Sequence, residues 1–395
     1  MNKYYKRILI LAFLILFVPL MALTKDSVLA IKGGEIHTVS GDVIKKGIVL
    51  IMEGKIVSVG KNISIPRGAK VIKAEGLIVT PGIIDARSSF GLKSSRAREN
   101  YINPSLRIID FFTPVEDSIW LKCGVTAIYI TPPAQNLLGG FGAVVKLVGN
   151  KKQAIVNEAA GMSVSIGEST LRGASIPTTR QGRVGRLRQE FVRAIEYMEL
   201  RKKGGSAEDA DSNFEAIIRV MRREVPLRFL ANTPDDIMTA LRVAKEFKLR
   251  IVIDSGAGAH KVARLLAEAQ VPVVIGPSIM SLGSGGPLEM FAHTPENAGR
   301  LHMAGVKVAL STNSRWGRSV LLEGVVAKSH GLPEDAALRA VTLNSAEILG
   351  VAGRLGSIEA GKDADIVIWK GHPLSTWGET KVVIVDGKIV YERKK

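Results

Sequence analysis

Apolar and polar positions between Ser27 and Val71 are arranged in short runs broken by turn residues, a strand signature. The run Ile48 to Met52 meets the turn signal Glu53-Gly54, and Lys55 to Gly60 leads back. Near the other end Ala364 to Trp369 and Lys381 to Val385 read as strands, and Asp386-Gly387 turns the chain into Lys388 to Tyr391. E-G-K-I-V near one end and D-G-K-I-V near the other are matched hairpin devices. Each half is too small to bury its own apolar face. The pattern therefore predicts one small β-sandwich built from both chain ends.

Between the ends the period changes repeatedly from strand to helix. Thr126 to Ile130, Val144 to Val148, Leu227 to Leu230, Arg250 to Ile253, Val271 to Ile275 and Val306 to Leu310 read as strands. Gly185 to Lys203 reads as a helix with Leu187, Phe191, Ala194, Ile195 and Met198 on one face. Further helices are predicted at Pro234 to Phe247, opened by Thr233, and at His260 to Ala269, Pro295 to Ala304, Glu334 to Leu343 and Ser345 to Leu349. Such alternation predicts an α/β fold, a parallel (β/α)8 barrel of the TIM type.

With 395 residues, 46% hydrophobic and 23% charged, the chain has the size of one large barrel plus a small module. The expected division is a leader over 1–23, a composite sandwich from 24–80 plus 354–395, and a barrel over 81–353. Lys3, Lys6 and Arg7 precede the apolar run Ile8 to Leu23, which Pro19 interrupts. That is the form of a secretory signal, with cleavage after Ala22 or Ala30. It predicts an exported protein, periplasmic or extracellular, or one anchored to the membrane through this segment alone. The single cysteine, Cys123, allows no internal disulfide and reads as a small core residue.

The formal net charge is +17, and Arg172, Arg180, Arg183, Arg186, Arg188, Arg193, Arg201, Lys202 and Lys203 crowd one region. A solvated, basic helix face explains this, while an anionic polymer partner is the sharper reading. No nucleic-acid motif accompanies the charge, so no specific nucleic-acid partner is expected.

The candidate chemistry centres on Val79 to Leu92, VTPGIIDARSSFGL, in which Thr80-Pro81-Gly82 precedes a short strand ending at Asp85. This stretch resembles the first barrel strand of the amidohydrolase superfamily, with the frame PG-[FLI]-ID-x-H-x-H. Asn344-Ser345-Ala346-Glu347-Ile348-Leu349-Gly350 and the run Gly353 to Val367, GRLGSIEAGKDADIV, extend the likeness, nearest to exported, imidazolonepropionase-like members. The resemblance implies a barrel whose strand tips hold a divalent metal, zinc or a similar ion, for hydrolysis of C–N bonds.

The same resemblance places metal ligands at six positions of this chain, and none carries the expected residue. Arg87 and Ser89 stand for the two histidines, Ser163 for the strand-4 ligand, Leu230 and Ser255 for the next two histidines, and Asn313 for the aspartate base. Asn232 sits beside this set. Serine and asparagine are weak neutral ligands, and a guanidinium repels a dication. Without a metal there is nothing to lower the pKa of a bound water. The expectation is a catalytically degenerate protein with no catalytic residue, no metal and no cofactor, binding a small anion or a protein partner. Self-association or pairing with an active relative belongs to the same expectation. The alternative is a working metal-dependent hydrolase of non-peptide or cyclic C–N bonds, imidazolonepropionase- or dipeptidase-like, with ligands elsewhere.

Other chemistries find little support. The histidines, His37, His260, His293, His302, His330 and His372, show neither H-x-H nor H-E-x-x-H spacing. Ser88 and Ser89 lie in no G-x-S-x-G motif, and Gly283 to Pro287 lacks a P-loop lysine. Arg87, if turned inward, needs Asp254, Glu168 or a ligand anion to compensate it, because an unpaired buried cation is costly.

Overall fold

The computed structural model describes residues 28–92, 101–114, 118–132, 134, 136–149, 151–167, 179–204, 210–278, 293–313 and 320–394. The expected leader over 1–23, Glu168 and the glycine-rich stretch 283–287 lie outside these. Ala30 lies within them, fully buried in a paired strand, so cleavage there would cut into the sheet.

Strands β1 (Val28–His37) and β2 (Val43–Met52) pair antiparallel, and β3 (Lys55–Gly60) returns beside β2. The strands β4 (Lys70–Lys73) and β5 (Ile78–Pro81) both run parallel to β1, against residues 29–32 and 35–36 respectively. Because β1 passes its edge from one partner to the other, the sheet branches and can close on its own apolar face.

The barrel follows directly. It comprises β6 (Ile83–Ser88), β7 (Val125–Ile130), β8 (Leu138–Lys146), β9 (Ile155–Ser165), β10 (Leu227–Ala231), β11 (Ile251–Ser255), β12 (Val273–Ile275) and β13 (Val308–Leu310), side by side in that order. β6 pairs in parallel with β7, and β9 to β13 are mutually parallel. β8 is antiparallel to both its neighbours, so the barrel is not wholly parallel as expected. The interval between β7 and β8 is too short for a crossover helix, and a short connection leaves only the antiparallel pairing. Ile84, Ala127, Tyr129, Val144 and Ala160 point inward and pack on Ala346, Leu349, Val351 and Leu355, which stopper one end. Above them Ala86, Val252, Val274 and Ala309 share a cluster with Ile348.

Strands β14 (Ile366–Lys370), β15 (Glu379–Val385) and β16 (Lys388–Glu392) complete the first sheet, β14 lying antiparallel to β5. Ile31, Ile36, Val49, Val79, Ile366, Ile368 and Ile384 form one core from both ends of the chain. The two matched turns have both central residues at positive φ, Glu53 (50°) with Gly54 (78°) and Asp386 (48°) with Gly387 (72°). This is the primed geometry that suits strand twist. The turns also meet, since a Cβ on Gly387 would stand 2.9 Å from Gly54 Cα.

Several expected elements shift. β6 runs on to Ser88 instead of ending at Asp85. β9, which only the family resemblance marks through Ser163, and the helix Ser212–Met221, capped by Asp211, which no sequence pattern predicts, complete the alternation. The helix break near the C-terminus falls between Glu334–Ala340 and Leu343–Ile348. On Arg180–Lys202, Leu187, Phe191 and Ala194 are buried but Ile195 is exposed. Arg180, Arg186, Arg188, Arg193 and Lys202 pair with Asp236, Glu190, Glu246, Glu190 and Glu199. Among the described residues no helix is long and apolar enough to cross a membrane.

Candidate functional site

The residues singled out in the sequence fall at one end of the barrel, where β6, β9, β10, β11 and β13 finish. The pairing of β6 with β7 slips between Asp85 and Ser88, so two residues, Ala86 and Arg87, stand against the single residue Tyr129. A bulge of this kind re-aims side chains. Ala86 remains in the interior cluster, and Arg87, which strict alternation would send outward from it, also reaches inside. Arg87 is 5% exposed. Its Nη1 donates to Asn313 Oδ1 at 2.8 Å, its carbonyl accepts from Asn313 N at 2.9 Å, and its Nε stands 3.8 Å from Asp254 Oδ2.

Asp254 is committed elsewhere. Arg228 on β10 donates through Nε to Oδ2 at 3.0 Å and through Nη2 to Oδ1 at 2.6 Å, the two-pronged arrangement that a planar guanidinium and a carboxylate favour. Arg228 also reaches the carbonyl of Ala86 and lies over the Tyr129 ring, 4.1 Å from its centroid. Burial pulls the Arg228 guanidinium down, but Asp254 and Tyr129 outweigh it and the group ends above its ordinary pKa. Arg87 ends below its ordinary value because burial and neighbouring Arg228 outweigh the attraction of Asp254. Both remain charged, since an arginine starts too high to lose its proton here.

Ser163 on β9 is the register partner of Arg228, so the two lie side by side facing the interior. Leu230, two residues above Arg228 and opposite Asp254 in register, forms a partly exposed rim. Asn232 is buried just past β10, and Ser89 is partly buried just past β6. Ser255 departs from expectation. Val252 belongs to the interior cluster, so period 2 turns Asp254 inward and takes Ser255 off that face. Ser255 (φ 72°) and the exposed Asn313 (φ 46°) both hold left-handed backbone, a strained state concentrated at functional sites.

Asp85 closes the seam between β6 and the segment after β13. Thr312 donates to it through Oγ1 at 2.5 Å and through N at 3.1 Å, and Arg87 N donates at 3.2 Å. Complete burial, outweighing these donors, raises its pKa to about 7. The structure thus unites Arg87, Ser163, Leu230, Asp254 and Asn313 at one mouth, whereas Arg228 and Thr312 had escaped notice. A lone arginine in the apolar strand Leu227-Arg228-Phe229-Leu230, in phase with Leu230, was the available signal. Among the described residues no three His, Cys, Asp or Glu converge as a metal-binding set. The side chains at the mouth, two guanidinia among them with both carboxylates already engaged, do not fit a divalent ion.

The amidohydrolase family profile matches residues 289–390. The amidohydrolase tasK of Hapsidospora irregularis is 27% identical over 88% of this chain, which spans 40% of that protein's length. The imidazolonepropionase of Geobacillus kaustophilus is 24% identical, covering 88% of this chain and 92% of the enzyme. The crystal structure of an amidohydrolase from Thermotoga maritima superposes with a TM-score of 0.86 at 32% identity, over 92% of this chain and all of that one. A barrel stoppered by its own C-terminal segment, a sheet woven from both chain ends and this full-length likeness place the chain in the amidohydrolase family.

Proposed function

We propose that this protein is a non-hydrolytic amidohydrolase, exported or held at a membrane by its N-terminal segment, that acts by binding at the barrel mouth. The observation that carries the reading is the chain of contacts Asn313–Arg87–Asp254–Arg228, buried except at Asn313. It occupies the strand ends where the family resemblance implies metal ligands. A fixed guanidinium opposes a dication, and the carboxamide of Asn313 cannot take a proton from water as an aspartate would. These side chains offer hydrogen-bond donors and positive charge, the equipment of a binding site. Self-association, or pairing with a catalytically active relative, belongs to the same proposal.

Metal analysis of the purified chain by plasma mass spectrometry, after growth with added zinc and manganese, tests the reading. The expected content is well under a tenth of an equivalent, with no hydrolysis of imidazolone or X-Pro dipeptide substrates above buffer. One equivalent of a divalent ion together with turnover would instead make the protein a metal-dependent hydrolase of C–N bonds.

A further inference from the structure

Charges and donors do not balance inside the barrel mouth. Arg87 and Arg228 bring two guanidinia, and Asp254, the carboxylate between them, gives both oxygens to Arg228. Arg87 is left with a carboxamide, Asn313, and with Asp254 Oδ2 at 3.8 Å, beyond hydrogen-bond reach of its Nε. Asp85 gives the Arg87 side chain no hydrogen bond, because its oxygens serve Thr312 and the main-chain N–H of Arg87, and it adds negative charge beside Arg87 only as pH rises through about 7.

Three buried polar atoms consequently lack a hydrogen-bond partner: Arg87 Nε, Arg228 Nη1 and Ser163 Oγ. Arg87 and Arg228 are at most 5% exposed, and Ser163 sits beside Arg228 in register. Buried donors are almost always satisfied in native proteins, and charged ones are the costliest to leave open. Ser163 flanks Arg228 and Arg87 shares Asp254 with it, so the three groups line one wall of the mouth, and below about pH 7, while Asp85 keeps its proton, two guanidinia there face one ionised carboxylate.

We propose that the mouth binds one small monocarboxylate, held by the guanidinia of Arg87 and Arg228 and the hydroxyl of Ser163. The proposal rests on the non-hydrolytic reading above. A carboxylate supplies two acceptor oxygens in a plane that matches guanidinium geometry, and its single charge equals the surplus. A dianion such as sulfate would overshoot that surplus. Leu230, partly exposed at the rim, provides an apolar contact for the substituent of the acid.

The test is calorimetric titration and thermal melting of the metal-analysed chain at pH 6 with sodium acetate and propionate, and with sodium sulfate and chloride at matched ionic strength. Saturable binding of acetate and propionate at one site per chain is expected, with a raised melting temperature, and no saturable response to chloride. Ser163→Ala should weaken acetate binding three- to tenfold while the unliganded chain melts as before, because Oγ carries no internal hydrogen bond. Arg87→Met should weaken it more than tenfold, and Arg87→Lys should recover part of the loss. An acetate response equal to that of chloride, tighter binding of sulfate than of acetate, or undiminished binding in Ser163→Ala would each overturn the proposal. The serine variant decides alone if Arg87→Met fails to fold. A metal-free chain that ignores acetate sinks this proposal only, whereas a stoichiometric divalent ion sinks the non-hydrolytic reading.

Discussion

Asp85 sits on the first barrel strand with no exposed surface, and its two oxygens accept from Thr312 and from the main chain of Arg87. Protonation leaves most of that seam intact, because Thr312 can reverse its hydroxyl. Ionisation, in contrast, places a charge where water cannot reach it. The carboxyl ionises at about 7 in the folded chain against an ordinary value of 3.8. With the folded pKa raised, its contribution to stability is full below the ordinary value and is lost as pH rises through 7. Between pH 5 and pH 8 the loss amounts to about 3 kcal/mol at about 1.4 kcal/mol per pH unit. Asp85→Asn cannot ionise, so its stability relative to the natural chain should improve by about that much over the interval. Urea titrations at the two pH values measure this, and a constant difference would show that Asp85 does not titrate there. Arg87 was recognisable in the sequence because a cation in a histidine's place is conspicuous. Its route into the interior was not, since a bulge leaves no mark on the apolar pattern.

At the scale of elements, the legible parts were those whose period matches one environment. The matched hairpins, the helix Pro234–Glu246 with its Thr233 cap and the short apolar barrel strands all fell where the pattern put them. β8 was read only in part. Both its ends are buried, and an apolar run buried on both faces looks the same in either direction. The β9 run Ile155–Ser165 begins partly exposed and gave no strand-like alternation. The joint between β14 and the turn into β7 depends on a single glycine. Gly124 has φ 72°, and a Cβ there would meet Trp369 Cη2 at 2.4 Å, while the Trp369 indole donates to Thr80 Oγ1 at 2.8 Å. Gly124→Ala therefore suffers both backbone strain and overpacking, each worth about 1–3 kcal/mol. A drop of about 2–6 kcal/mol in denaturant stability is expected, and Gly305→Ala, with φ 83° but open space around it, should lose only the backbone part.

Across the whole molecule, barrel and sheet are held together by Lys146 at the end of β8. It is 1% exposed, and its ammonium donates to Asp363 and Asp365 at 2.9 Å and to Asp386 at 2.5 Å, all from the C-terminal segment. Lys55 and Arg354 approach Asp363 from its other sides, so three cations face three carboxylates. The Gly353 to Val367 run that carries the family likeness in sequence supplies two of those carboxylates, which gives that run a physical task, joining barrel and sheet. Lys146→Met keeps the length of the side chain and deletes its charge. Breaking a buried pair by removing one partner costs about 3–5 kcal/mol, or roughly 5–10 °C in melting temperature for a chain of this size. The deficit should depend on pH. Burial already lifts Asp365 to about 6 against the pull of Lys146, and without that pull it rises further. Protonated Asp365 no longer needs a counter-ion, so the variant should recover part of its loss as pH falls from 8 to 5. Melting curves of the two chains at both pH values decide the matter: an equal deficit at each would place the cost in lost packing, and no deficit at either would show that the junction holds without its central charge.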